Sequence, residues 1–442
     1  MTTAAPTTEA SRALNRRIMG KLMPLLIMAY IMAFLDRTNI GLAKRHLEAD
    51  LGISAAAYGL GAGLFFLAYA SFEVPSNLIM NKVGARAWIT RIMVTWGLIS
   101  AAMAFVQGPA SFYVLRVLLG FAEAGLFPGV MLYLTYWFGR EMRARANGYF
   151  LVAVCVANIV GAPLSGALLG LDGLGGLKGW QWMFLIEGIP AALLAIVVWK
   201  LLPNGPEDAK WLSPAERETI TSTLARERAA TETSGNHGWA AAAKDPVIWL
   251  TIAIYFTHQI AVYSLTYFLP SIIGSWGIDS DLTIGLLTAL PWVAAAIGAA
   301  FLPRYADRPT RSKLLLLMGF LAMTGGLAIG ALGGNAVALL GFSLAAFAFF
   351  VVQSILFTVP AERLTGVALA AGLALVNTLG ILGGFVGPYV MGMLESSTGK
   401  PTAGLWFVVA LTALGTLLVP LLRFTAPHGG KVEGSDLAAK HG

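Results

Sequence analysis

Apolar runs of about 20 residues recur along almost the whole of this 442-residue chain, each long enough to cross the hydrocarbon core of a bilayer. Twelve can be marked off, at 21–43, 57–80, 88–106, 110–137, 145–169, 181–201, 246–274, 281–302, 313–332, 335–358, 364–393 and 403–422. A chain that crosses lipid must satisfy its backbone internally, which leaves helices or a closed barrel. These runs are continuously apolar, whereas barrel strands alternate over about ten residues. The fold class that follows is an all-α polytopic membrane protein with twelve transmembrane helices. Composition agrees: 12% of the residues are charged, against about 25% in soluble domains. The polar opening MTTAAPTTEASRALNRRIMGK is too long and irregular for a signal peptide, so the first span is expected to stay.

The net charge of +7 needs no nucleic acid to explain it. With both termini in the cytoplasm, 24 of the 30 Lys and Arg fall on that side, and Lys44, Arg45, Lys178 and Lys400 fall outside. That asymmetry is the positive-inside pattern and fixes the orientation. No soluble module interleaves aromatic and basic residues as an RNA or DNA partner would require. Cys155 is the only cysteine, which excludes an internal disulfide and a multi-cysteine metal site.

The longest hydrophilic stretch divides the spans six and six, as in an internally repeated transporter. The expected organisation is a cytoplasmic tail at 1–20, a six-helix bundle at 21–201 and a cytoplasmic linker at 202–245. A second six-helix bundle follows at 246–423, then a cytoplasmic tail at 424–442. Within the linker, Ser213-Pro214 followed by Glu216 reads as a helix start, and TSGNHGWAAAAK as a looser continuation. Many of the 50 glycines lie inside spans, where small residues let helices approach closely.

Charge at membrane depth is costly and marks a substrate path, an ion pathway or a brace. Four charged residues stand out: Asp36 and Arg37 in YIMAFLDRTNIGLA, and Arg116 and Glu123 in FYVLRVLLGFAEAGLFPG. At 1.5 Å per residue, Arg37 lies about 24 Å up the first helix and Arg116 about 9 Å down the fourth, at a comparable level. Two guanidiniums at one level offer planar forks for an anion, and Asp36 and Glu123 balance them. An entering anion that competes for an arginine raises the proton affinity of the carboxylate that arginine held. That is a physical route to proton–anion co-transport; static ion pairing is the alternative.

The second half offers neutral polar groups: His258, Gln259, Tyr263, Tyr267, Gln353, Ser354 and Asn377. His258 either titrates or serves as a neutral hydrogen-bonding group. Gln259 projects about 100° away on a regular helix, so one of the two is expected to line the path. Asn377 brings an amide that must find a partner, and Tyr69 in FFLAYASFEVP joins an aromatic wall to a phenol donor.

These residues carry a resemblance. FLDRTNIGLAK in the first span, RVLLGFAEAGLFPGVMLYLTYWF (116–138) and GAPLSGALLGLDGLGGLKGWQWMFLIEGIPA (161–191) resemble the anion:cation symporter family of the major facilitator superfamily. LPNGPEDAKWLSPAE (202–216), YSLTYFLPSII (263–273) and AAGLALVNTLGILGGFVGPYVMG (370–392) extend the likeness. It implies the major facilitator fold, a bacterial inner membrane, monomeric function and proton symport of a carboxylate by alternating access, without a cofactor. Arg37 and Arg116 would engage the anion, Asp36 and Glu123 would be the proton-linked carboxylates, and Tyr69, Gln259 and Asn377 would complete the cavity, with His258 and Tyr263 beside them. Substrates of tartrate-like, sugar-acid or aromatic-acid type fit the resemblance. The superfamily's loop motif is degenerate in NKVGAR (81–86), which keeps Arg86; RYADRPTRSK keeps Asp307 and Arg308, and these three read as cytoplasmic gating braces. Where relatives read Phe-Trp before Leu-Pro in the tenth helix, this chain has Phe357-Thr358-Val359-Pro360. Antiport or export on the same fold is the alternative cycle. A membrane receptor or enzyme is disfavoured because no nucleophile–base arrangement or metal-ligand cluster is visible.

Overall fold

The computed structural model describes residues 8–232, 239–306, 308–364 and 366–422. Among them every regular element is a helix. Eleven are long and apolar enough to cross a membrane. In the first half these are α1 (Arg12–Leu51), α2 (Ala55–Val83), α3 (Ala85–Phe105), α4 (Pro109–Leu134), α5 (Gly148–Leu169) and α6 (Gly179–Leu201). The second half holds α7 (Pro246–Gly274), α8 (Asp281–Tyr305), α9 (Pro309–Leu332), α10 (Asn335–Arg363) and α11 (Val367–Thr398). The last apolar stretch forms a shorter helix, α12 (Leu405–Leu421). Large apolar side chains such as Leu98, Val114, Leu340 and Leu417 stay exposed on the outer surface, as lipid-facing positions do.

The first helix is longer than its apolar run at both ends. It begins at Thr8, inside the stretch expected as a polar tail, and runs on to Leu51 after an interruption at Asn39. Lys44, placed outside the membrane by sequence, lies in that extension at 2% exposure. Its ammonium lies 5.8 and 5.4 Å from the ring centroids of Tyr58 and Phe268 and pairs with Glu395 at 2.7 Å. A long apolar stem lets a lysine sink where its head finds a carboxylate.

The linker begins as expected. Ser213 caps the helix Pro214–Glu232: Glu216 accepts from the Ser213 amide at 2.8 Å and donates its own amide to Ser213 Oγ at 3.3 Å, a reciprocal capping box. Arg17 joins that helix start to the first helix through Glu216 at 2.7 Å. Of the stretch expected to loosen, 233–238 lies outside the described residues, and Trp239–Lys244 is a short helix instead. The tail at 424–442 also lies outside them.

The halves meet chiefly along α2 with α11 and α5 with α8. At four glycines these seams bring backbone against backbone. A Cβ on Gly59 would collide with the Pro388 carbonyl, and one on Gly392 with that of Ala55. Gly166 and Gly285 stand likewise against Asp281 and Ala162.

Candidate functional site

Three of the membrane-spanning helices are interrupted beside a residue singled out by sequence. The first helix stops at Thr38, directly after Asp36 and Arg37. The fourth stops at Glu123, and Gly125 adopts a left-handed conformation at φ +90° that favours glycine. Ser76 donates to the freed Ala124 carbonyl at 2.8 Å and accepts from Trp88 Nε1 at 2.9 Å. The eleventh stops at Gly380, three residues after Asn377, and resumes at Gly383. Irregular backbone at membrane depth survives where protein satisfies it or where it lines a cavity.

A cavity of about 70 Å³ opens between these breaks, lined from both halves. Arg37, Tyr69, Gln259, Tyr263 and Asn377 all line it, with Trp292 and Phe350 among the aromatic groups of its wall. Arg37 is its one charged lining group among the described residues. That guanidinium donates to the Glu123 carboxylate and to Tyr263 Oη at 3.3 Å. The rings of Phe34, Phe65 and Tyr69 surround it at 4.6, 5.2 and 5.3 Å. Its Nε has no protein partner, so the fork keeps a donor in reserve.

The other expected groups stand behind the wall. Glu123 is 1% exposed and reaches the cavity only through Arg37. Arg116 is fully buried and donates to the carbonyls of Gly61 and Ala62, both at 3.4 Å. Its guanidinium lies 4.8 Å from the Phe65 ring, so one ring is shared by both arginines. Asp36 turns away, accepting from Trp96 Nε1 and Ser100 Oγ at 2.8 Å each.

Gln259 lines the cavity and His258 does not. His258 meets the Phe349 carbonyl through Nε2 at 2.9 Å and Gln259 Oε1 through Nδ1 at 3.0 Å. With Nε2–H given to the Phe349 carbonyl, the neutral Nδ1 accepts from Gln259 once that amide turns its NH2 toward the ring, and the histidine is a buried strut that steadies its neighbour. His258→Ala should lower stability by about 1–3 kcal/mol through the orphaned carbonyl. Gln259→Ala should instead weaken ligand binding about tenfold, and the unpartnered His258 Nδ1 should lower the melting temperature as well. Parallel thermal melts and binding titrations separate the two, and two variants silent in binding would place the ligand elsewhere.

Of the three gating candidates, Arg86 donates from Nε to the Leu202 carbonyl at 2.6 Å and from its backbone to Asn204 Oδ1 at 3.1 Å, bracing the chain into the linker. Arg308 is exposed at the start of α9, and Asp307 lies outside the described residues.

Sequence reasoning passed over two further buried carboxylates. Glu73 accepts from Asn377 Nδ2 at 2.5 Å and from Thr378 Oγ1 at 3.0 Å, across the two halves. Glu187 accepts from Asn39 Nδ2 at 2.8 Å and Ser165 Oγ at 2.6 Å. Both sit inside stretches already marked as spans, and Glu73 follows Tyr69 by one helical turn. Each was legible as charge at depth.

The model of the Major Facilitator Superfamily matches residues 26–380. A "putative tartrate transporter" of Agrobacterium vitis is 41% identical over 95% of this chain and 94% of its own. A "quinolone resistance transporter" of Acinetobacter baumannii is 41% identical over 91% of this chain and 93% of its own. In fold the chain is similar to the xylose transporter XylE from E. coli in a partially occluded inward open conformation. That match has TM-score 0.73 and 14% identity over 93% of this chain and 99% of that one.

Proposed function

The chain belongs to the major facilitator superfamily, and from that membership we propose that it imports a small organic carboxylate together with protons. Secondary transport of a small organic molecule by alternating access is what the family and its relatives carry. The finer reading rests on one observation: the cavity's charged lining group is Arg37, and its guanidinium is held by a buried carboxylate, Glu123.

A ligand carboxylate entering the cavity competes with Glu123 for the Arg37 fork. Glu123, left in an apolar setting, then takes a proton, because a lone buried carboxylate is costly. Loading the anion and loading the proton become one event. Tyr69, Tyr263, Gln259 and Asn377 supply the donors that orient the ligand. Arg116 adds positive charge from behind Phe65, and reaches the anion only after leaving the carbonyls of Gly61 and Ala62. Asp36, next to Arg37 in the chain, is the second proton-linked carboxylate.

This cycle uses two six-helix bundles, 21–201 and 246–423, that rock about the cavity as a monomer. Both termini and the 202–245 linker lie on the cytoplasmic side of a bacterial inner membrane. Arg86, Asp307 and Arg308 brace that side. A tartrate-like acid is the first substrate to try, with support from relatives named as putative tartrate transporters. Export is the second reading, favoured by the relative named for quinolone resistance.

Reconstitution into liposomes with an imposed pH gradient tests the proposal. Symport requires tartrate, a sugar acid or an aromatic acid to accumulate in the acid-to-alkaline direction and to acidify the lumen. Uptake indifferent to the gradient would refute proton coupling, and outward movement alone would establish the exporter.

A further inference from the structure

Glu73 holds one of the cavity's amides, Asn377. It lies one turn after the cavity-lining Tyr69, on the same face of α2, and is 4% exposed. Both its oxygens are engaged by α11, one by Asn377 Nδ2 at 2.5 Å and the other by Thr378 Oγ1 at 3.0 Å. Among the described residues no cation stands at ion-pair distance from it. Asn377 also lines the cavity, and it sits just before the break at Gly380. The two donors therefore form a seat for a carboxylate, and the chain's own carboxylate fills it.

We propose that Glu73 is a tethered competitor for the ligand's carboxylate, clasping Asn377 and Thr378 across the two halves until an entering anion displaces it. This rests on the carboxylate reading above. A ligand carboxylate presents the same two coplanar acceptors that Glu73 presents, so the donors stay satisfied after exchange. Glu73 is then released into a cavity that has opened to water. With no ligand present, parting α2 from α11 strands a buried carboxylate and two donors together, which is costly. The clasp thus resists movement of an empty carrier and yields to a loaded one. A static brace has the opposite signature: its loss loosens the site and leaves ligand affinity equal or weaker.

The test uses the full chain in nanodiscs, with spin labels on Val83→Cys and Val367→Cys in a Cys155→Ser background. Val83 and Val367 are exposed at the ends of α2 and α11, and Cys155 is buried. Without ligand, Glu73→Ala should shift the label distances to longer values, and Thr378→Val should produce a smaller shift in the same direction. Tartrate titrated into Glu73→Ala should bind about tenfold more tightly than to the unsubstituted chain, and Glu73→Asp should restore part of the competition. Unchanged distances, or an affinity that falls or stays level, would overturn the proposal. If no tartrate, sugar acid or aromatic acid binds either protein while the distances still lengthen, the clasp holds and the carboxylate substrate falls.

Discussion

On the carboxylate reading, Arg37→Ala is expected to lose binding of the anion by at least about a hundredfold. Hydrogen bonds to charged groups contribute about 1.5–3 kcal/mol each, and each 1.4 kcal/mol is about tenfold in affinity. The guanidinium is the cavity's one charged lining group among the described residues, so no neighbour in the lining replaces it. Arg37→Ala also orphans Glu123, and breaking a buried pair costs about 3–5 kcal/mol. A poorly folded variant would then mimic a binding defect. The double variant Arg37→Ala/Glu123→Gln removes the stranded charge and should recover the melting temperature without recovering binding. Arg37→Lys keeps the charge but loses the planar fork, and should fall between. Calorimetric titration beside thermal melts reads all three; near-normal affinity in the double variant would remove Arg37 from the site.

Glu123→Gln should separate accumulation from exchange. The amide cannot take or release a proton, yet it fills the same space behind the Arg37 guanidinium. One coupled proton sustains about tenfold accumulation per imposed pH unit, and the variant should lose that factor. Counterflow of labelled against unlabelled substrate needs no net proton movement and should survive. Equal loss of both activities would make Glu123 a structural partner of Arg37 and nothing more.

Much of the architecture was legible because hydropathy and helix length are local properties. The seventh span, 246–274, is marked by Pro246 at its start and Gly274 at its end, and the helix has those limits. The break in the fourth helix was foreshadowed by FAEAGLFPG, where Gly125 supplies the only backbone freedom the turn requires. What escaped depends on partners far away in the chain. Lys44 is buried because Glu395, 351 residues on, receives its ammonium. Glu73 is tolerable because Asn377 and Thr378, about 300 residues on, meet it. Arg116 and Arg37 were placed at a comparable level by helix rise, and one aromatic ring adjoins both. Rise alone could not tell which guanidinium would face the cavity, since that depends on helix rotation. Gln259 and His258 show the same limit: their angular separation was readable, but not which of them faces inward.

The glycine seams bear on the speed of the cycle. Where Gly59 faces Pro388 and Gly392 faces Ala55, the halves touch without side chains between them. An ordinary interface must immobilise its rotamer-rich side chains each time it forms, at about 0.5–1.5 kcal/mol apiece. Glycine has no rotamers to lose. Re-forming these glycine contacts therefore carries almost no side-chain entropy cost, which falls instead on the side chains that share the α2–α11 seam, Glu73, Asn377 and Thr378 among them. A carrier that must part and rejoin its halves on every turnover has here points of contact that close without rotamers to reorder.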